Sequence, residues 1–269
     1  MIELWLEGVG LLAPGLPGWA AGAPMLAGAA PYVSAAAVVP ASELLPAAER
    51  RRAGLPVKIA LAVGQECFAH AARDPGATAT VFTSSSGDGE NLHRICEALS
   101  SAEREISPTR FHNSVHNAPA GYWSIAVGAR EASTSLCGHD VSFAVGLIDA
   151  AAQVVAENVA VALIACDQPY PEPLNGVRPI AASVGIGLVL TPRSTPKALA
   201  KLRIDLVADD AGYTPLADAQ LESLRRGVPA ARGLPLLAAV ARGGSLRVSS
   251  RVDLQYTGAL KLRIEVAPC

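Results

Sequence analysis

The sequence predicts an α/β fold: a mixed sheet with helices on both faces and an antiparallel hairpin at its C-terminal end. Two patterns lead to this prediction. Up to residue 191, short apolar stretches typical of strands alternate with longer stretches of helical periodicity. Farther on, apolar residues alternate with arginine and other polar residues over 246–252 and 260–266, which indicates two antiparallel strands with one face in water.

Composition supports a large buried core. Hydrophobic residues make up 51% of the 269 residues and charged residues only 17%, which excludes a disordered chain. The net charge of −2 gives no basic footprint for nucleic acid. No linker or internal repeat interrupts the chain, so we expect a single domain over 1–269.

Five stretches are predicted as strands of the first part of the sheet. In residues 2–7, the aliphatic side chains at 2, 4 and 6 alternate with Glu3, Trp5 and Glu7, a pattern typical of a half-buried strand. Residues 79–83, 159–166 and 185–190 are short apolar runs typical of buried strands, and 134–137 is a further short strand. The run 159–166 is too short to cross a bilayer.

Seven helices are predicted from periodicity and end signals. They cover 44–52, 56–73, 91–101, 118–128, 142–157, 216–226 and 234–242.

The remaining segments are predicted as turns and loops. Residues 84–89 read SSSGDG, a composition that favours a tight polar turn. Residues 8–42 carry no charge, but five prolines interrupt them too often for one membrane-spanning helix. We therefore expect a loop from the opening strand to residue 42, and a second, polar loop leading to Asn113.

Neither a cofactor nor a metal is expected. Gly8-Val9-Gly10 imitates the start of a dinucleotide-binding motif, but Pro14 and Pro17 forbid the helix that would hold the pyrophosphate. His112 and His116 have the spacing of one helical face, yet no third ligand lies nearby in the sequence.

Cysteine usage points to a reducing compartment. The five cysteines are widely scattered, contain no CxxC pair and are odd in number. The N-terminus also lacks the basic region of a secretory signal. We expect a cytoplasmic protein without a membrane span.

The segment 106–151 resembles the β-ketoacyl synthase family around and before its nucleophile. The matching positions are Ser107-Pro108, Asn117, Ala120-Gly121, Ser124-Ile125, Gly128 and Ser133. The turn at 83–89, Arg178-Pro179 and the run 185–190 are similar to further family positions. The resemblance covers 1–191, and 192–269 is a divergent α+β tail.

The whole chain is similar to short β-ketoacyl-synthase-like proteins of aryl-polyene-type pathways. The sequence segments that support this similarity include GVGLLAPGLPGW, SPTRFHNSVHNAPAGYWSIA and ARGLPLLAAVARG. The resemblance implies half of a thiolase-like fold. It also implies a chain-length-factor-like subunit that pairs with a full-length ketosynthase and works with an acyl carrier protein in fatty acid or type II polyketide biosynthesis. In the absence of its partner, a homodimer is the alternative state of such a chain.

Catalytic function is the open question. The resembling ketosynthases use a cysteine thiolate and two later histidines, whereas here no histidine follows His139. Counting from Gly128 places Asp140 at the nucleophile position, but aligning Gly146 with the helix glycine of the family places Gly138 there. Cys137 matches neither alignment.

Two hypotheses remain open. In the first, the chain is non-catalytic and its 106–128 segment contributes to a partner interface and acyl tunnel through Arg110, Phe111, Asn113, Val115, His116 and Asn117. In the second, it is a stand-alone acyltransferase or thioester enzyme of β-ketoacyl synthase type.

The second hypothesis uses Cys137 with His139 or His112, and Asp140 is a further candidate. Against it, the apolar run 135–137 favours a buried cysteine, and an acid at the start of a helix favours a capping role for Asp140.

Overall fold

The computed structural model describes all 269 residues and contains one mixed, eight-stranded sheet. The strands are β1 (Ile2–Leu12), β2 (Ala79–Thr83), β3 (Ser133–Leu136), β4 (Val161–Asp167), β5 (Val184–Thr191), β6 (Ala200–Ala208), β7 (Ser250–Gln255) and β8 (Leu260–Pro268). The helices are α1 (Trp19–Ala27), α2 (Ala47–Arg52), α3 (Leu55–Ala71), α4 (Gly89–Ser100), α5 (Pro108–His112), α6 (Ala118–Val127), α7 (Ser142–Glu157), α8 (Leu174–Val177), α9 (Ala219–Gly227) and α10 (Leu234–Leu246).

The sheet has the order β3-β2-β4-β5-β1-β6-β8-β7. Only β2 pairs in parallel, with β3 on one side and β4 on the other, and every other pair is antiparallel. The β7–β8 hairpin therefore extends the sheet through β6, which pairs with β1. The predicted fold class, including the C-terminal hairpin, is confirmed.

Hydrophobic cores cover both faces of the sheet. Along β4, Leu163 and Ala165 belong to the larger core, which is shared with α7 and α10. The alternate residues Ile164 and Cys166 belong to the smaller core, which is shared with α3 and α6. This alternation is the period of two expected of a central strand covered on both sides.

Helix α3 lies directly against the backbone of the sheet. A Cβ atom added at Gly10 of β1 would overlap the carbonyl oxygen of Val63 in α3, and so would one at Gly187 of β5. A Cβ atom at Gly8 would likewise overlap the carbonyl oxygen of Cys67. The glycines at 8 and 10 therefore serve close helix-on-strand packing, where no side chain fits.

The same helix supplies acceptors to part of β1 that has no partner strand on one side. Strand β6 pairs only with residues 2–6 of β1. Beyond that point, His70 Nδ1 accepts the backbone N–H of Val9 at 3.2 Å, and Glu66 Oε2 accepts that of Leu11 at 2.8 Å. The buried backbone donors are thus satisfied by side chains of α3.

Helix α7 is an apolar core helix. The stretch His139–Glu157, which includes it, is long and apolar enough to cross a membrane by length and composition alone. In the structure Leu147, Ala150 and Val154 are fully buried in the larger core, where α7 packs against β4.

Four elements fall where no helix or strand was predicted, and one of them is the single-turn helix α8. Helix α1 lies inside the predicted loop, because its uncharged residues pack against α10 and bury Leu26. Helix α5 interrupts the predicted polar loop and begins at Pro108, where proline is well tolerated. Strand β6 shows the period-two alternation Leu202-Arg203-Ile204, a signal that was present in the sequence.

We expect Gly10→Ala to lower the free energy of unfolding by about 1–3 kcal/mol, because a methyl group there forces α3 away from the sheet. Urea denaturation measures the change. Gly212→Ala is the matched control, since nothing lies within 4 Å of a Cβ at that position. Equal stability of the two variants would contradict the close contact.

Candidate functional site

Polar residues gather where β2, β3 and β4 end. Ser84 and Ser85 follow β2, Cys137 follows β3, and Asp167 is the last residue of β4. Because these strands are parallel, their carboxyl ends lie at one edge of the sheet, the usual position of a site in such folds.

Asp167 is the buried centre of this edge. Its carboxylate accepts hydrogen bonds from the Ser85 backbone N–H at 2.8 Å, the Ala230 backbone N–H at 2.8 Å and the Ser84 hydroxyl at 3.3 Å. Burial raises the pKa of Asp167, while these hydrogen bonds act in the opposite direction. Sequence reasoning did not select Asp167, although an acid ending an apolar strand was the available signal.

Cys137 is exposed, so the prediction that it is buried is wrong. It lies just beyond the edge strand β3, which has a neighbour on one side only. Its thiol donates to the Ser85 carbonyl oxygen at 3.1 Å. The nearby His139 side chain is 70% exposed and faces Asp140 at 3.5 Å.

Asp140 forms ion pairs instead of capping a helix, so that prediction is also wrong. Its carboxylate lies 2.9 Å from Arg178 Nη2 and 3.2 Å from Arg232 Nη2. The start of α7 is held by Ser142, whose hydroxyl accepts from Gly138 N–H at 3.0 Å. Asp140 thus joins loops that are distant in the sequence.

His112 and His116 do not share a helical face, because α5 ends at His112. The ring of His112 lies edge-on to Tyr122, with centroids 6.4 Å apart. His116 Nε2 lies 3.4 Å from the Ser84 carbonyl oxygen, at the edge of the sheet described above. No three His, Cys, Asp or Glu side chains converge as a metal site in the chain.

The six interface candidates divide into two groups. Asn113 is buried, donates to the Arg52 carbonyl oxygen at 2.8 Å and accepts from the Tyr122 hydroxyl at 3.1 Å. His116 is half-buried. The side chains exposed to solvent are Arg110, Phe111, Val115 and Asn117.

The exposed apolar side chains are large. Phe111 is 70% exposed and Val115 is 53% exposed. Sequence reasoning did not select Ile125 of α6, which is also 53% exposed. Helix α6 packs beside β3, and the second edge of β3 has no partner strand. We call Phe111, Val115, Ile125 and this edge of β3 the apolar face.

A polar groove of about 770 Å³ opens beside the carboxyl edge. It lies between the end of α2, the start of α4, helix α5 and the loop that follows β4. Most of its lining residues carry arginine, carboxylate, amide or hydroxyl groups. A wall of this kind does not suit an apolar acyl chain.

We expect Asp167→Asn to lower the free energy of unfolding by about 1–3 kcal/mol, because one backbone N–H loses its acceptor. The variant should also lose a pH dependence. The native pKa of Asp167 lies above its unfolded value of about 3.9, so wild-type stability falls as pH rises from about 4 towards the native pKa.

Urea denaturation at pH 4, 5, 6 and 7 measures both effects. The free energy of unfolding should change with pH at different slopes for the wild type and Asp167→Asn. Parallel curves of free energy against pH would contradict the role given to this carboxyl group.

Solved structures of ketosynthases are similar to this chain. The ketosynthase ApeO in complex with its chain length factor ApeC from Xenorhabdus doucetiae has a TM-score of 0.72 at 19% identity, covering 98% of this chain and 99% of that chain. The ishigamide ketosynthase/chain length factor has a TM-score of 0.74 at 14% identity, covering 100% and 99%.

A further similar structure is AntDE:AntF, a type II polyketide synthase acyl-carrier protein in complex with its ketosynthase. It has a TM-score of 0.78 at 10% identity, covering 100% of this chain and 99% of that chain. At these identities the likeness shows the thiolase-like fold. No curated protein matches this sequence.

The family described as "Beta-ketoacyl synthase, N-terminal domain" matches residues 26–228, about three quarters of the chain. The match includes the carboxyl edge of the sheet, the apolar face and the groove. The chain therefore belongs to the β-ketoacyl synthase family.

Proposed function

We propose that this chain is a non-catalytic, chain-length-factor-like subunit that pairs with a complete ketosynthase in fatty acid or aryl-polyene-type polyketide biosynthesis. The observation that carries the proposal is the apolar face. Three large apolar side chains of the 106–128 segment are exposed, and β3 beside α6 lacks a second partner strand; exposed apolar side chains and unpaired strand edges are features of protein interfaces.

The chemistry of the carboxyl edge supports a non-catalytic role. A condensing enzyme needs an activated thiolate and donors placed for the charge that develops in the transition state. The Cys137 thiol is hydrogen-bonded to a carbonyl oxygen, which does not activate it. None of the residues after His139 is a histidine that could assist.

In this proposal the 106–128 segment forms one wall of an acyl tunnel whose other wall belongs to the partner. Phe111 and Val115 are exposed, and in this proposal their bulk limits the growing chain. Asn113 contributes indirectly, because it fixes the backbone of the segment through Arg52 and Tyr122.

The proposed setting is the cytoplasm, with substrates bound to an acyl carrier protein. All five cysteines are free thiols, which suits a reducing compartment. One structure with a similar fold is a ketosynthase in complex with an acyl-carrier protein.

Co-expression with a complete ketosynthase from the same organism should give a one-to-one complex, whereas the chain alone should self-associate through its apolar face. We expect Phe111→Asp with Val115→Asp to weaken the complex by about 2 kcal/mol or more, roughly 30-fold in dissociation constant. Size-exclusion chromatography with light scattering and a binding titration measure these quantities.

Leu246→Asp is the control, because Leu246 is 65% exposed but belongs to α10, on the other face of the sheet. It should leave the affinity unchanged. A monomeric wild-type chain that binds no ketosynthase would remove the proposal.

The alternative, a thioester enzyme that uses Cys137, is tested by thiol reactivity. Cys96 is also exposed and serves as an internal reference. On our proposal, iodoacetamide modifies both thiols at comparable rates at pH 7, and an acyl-carrier-protein thioester leaves no acyl group on Cys137. Mass spectrometry of the intact chain and its peptides detects both products. Faster alkylation of Cys137 together with acylation would favour the enzyme.

A further inference from the structure

The polar groove carries an excess of free positive charge at its rim. Arg51, Arg52 and Arg110 line it. Arg52 is paired with Glu49 at 3.2 Å, whereas the exposed guanidinium groups of Arg51 and Arg110 take part in no ion pair. These two side chains are available to an anionic group from outside the molecule.

The acidic residues of the groove neutralise this charge only in part. Glu90 is held by Arg94 at 2.9 Å. Asp88 Oδ1 accepts hydrogen bonds from the Asn91 backbone N–H at 3.0 Å and from the Gln168 side-chain amide at 3.4 Å. Burial raises the pKa of Asp88. Glu90 is thus held within its own helix, and Asp88 offsets part of the charge of Arg110, whereas Arg51 forms no ion pair.

Two buried asparagines fix the backbone that carries the arginines. Asn91 Nδ2 donates to the carbonyl oxygen of Arg110 at 2.8 Å, and Asn113 Nδ2 donates to that of Arg52 at 2.8 Å. Both asparagines are 6% exposed. The rim is thus held in place before any ligand arrives, which lowers the entropic cost of binding.

We propose that the groove receives an extended acidic segment of the partner ketosynthase, whose carboxylates pair with Arg51 and Arg110. This inference rests on the proposed function. Arg110 and Asn113 line the groove and flank Phe111, so the groove is continuous with the apolar face. Guanidinium groups bind carboxylates in a two-pronged geometry, and charge pairs at an interface set its register.

The double variant Arg51→Glu/Arg110→Glu tests the pairing. We expect its complex with the ketosynthase that binds the wild-type chain to be weakened at least about tenfold at 0.15 M salt. The wild-type affinity should fall as salt rises, and the variant should lose most of that dependence. Thermal unfolding by circular dichroism checks that the variant is folded.

Arg193→Glu/Arg251→Glu is the matched control, because it makes the same change in charge at two exposed arginines that do not line the groove. It should bind like the wild type. A groove variant that also binds like the wild type would overturn the inference and leave the proposed function standing.

Two further outcomes also count against the inference. If the wild-type chain forms no complex, the proposed function fails and the inference with it. Inorganic phosphate could bind the isolated wild-type chain and fail to bind the groove variant. If the wild type and the variant then form the complex equally well, the groove is a site for small anions.

Discussion

The contact between α3 and the glycines of β1 and β5 is the constraint from which the rest of the structure follows. Gly10 and Gly187 lie on neighbouring strands and both approach the Val63 carbonyl oxygen more closely than any side chain would permit. This contact places Glu66 and His70 over the part of β1 that lacks a second partner strand. It also fixes the N-terminal end of α3, where Gly54 lies against Asp88 at the wall of the groove.

Asp167 provides the second link, between the front half of the chain and its tail. Its carboxylate connects the turn after β2 to the backbone of Ala230, which precedes α10. The ion pairs of Asp140 with Arg178 and Arg232 connect the start of α7 to the same region. Asp167 is buried, and a buried carboxyl group is costly unless it is hydrogen-bonded, so its contacts confine the polar groups of the edge to one arrangement.

Local patterns predicted most of the elements, since β2 and α7 begin and end at the predicted residues. The errors concern residues whose burial or partners depend on distant parts of the chain. Cys137 follows an apolar run but lies beyond an edge strand, and strand order is not a local property. Asp140 has the sequence context of a cap, yet its partner Arg232 lies 92 residues away. Asp167 was missed for the same reason, because only the fold brings its partners together, and Arg110 was selected without its place in the groove.

The polarity of the groove decides what this chain contributes to the proposed pair. Burying an acyl chain is favourable by about 25 cal/mol per Å² of apolar surface, but only if the wall loses no hydrogen bonds to water. Guanidinium, carboxylate and amide groups would lose them, whereas Phe111, Val115 and Ile125 point outward and have none to lose. On the proposed pairing, an acyl chain in contact with this subunit must therefore lie between the two proteins. The length that fits is then a property of the pair, set by how far these side chains project towards the partner.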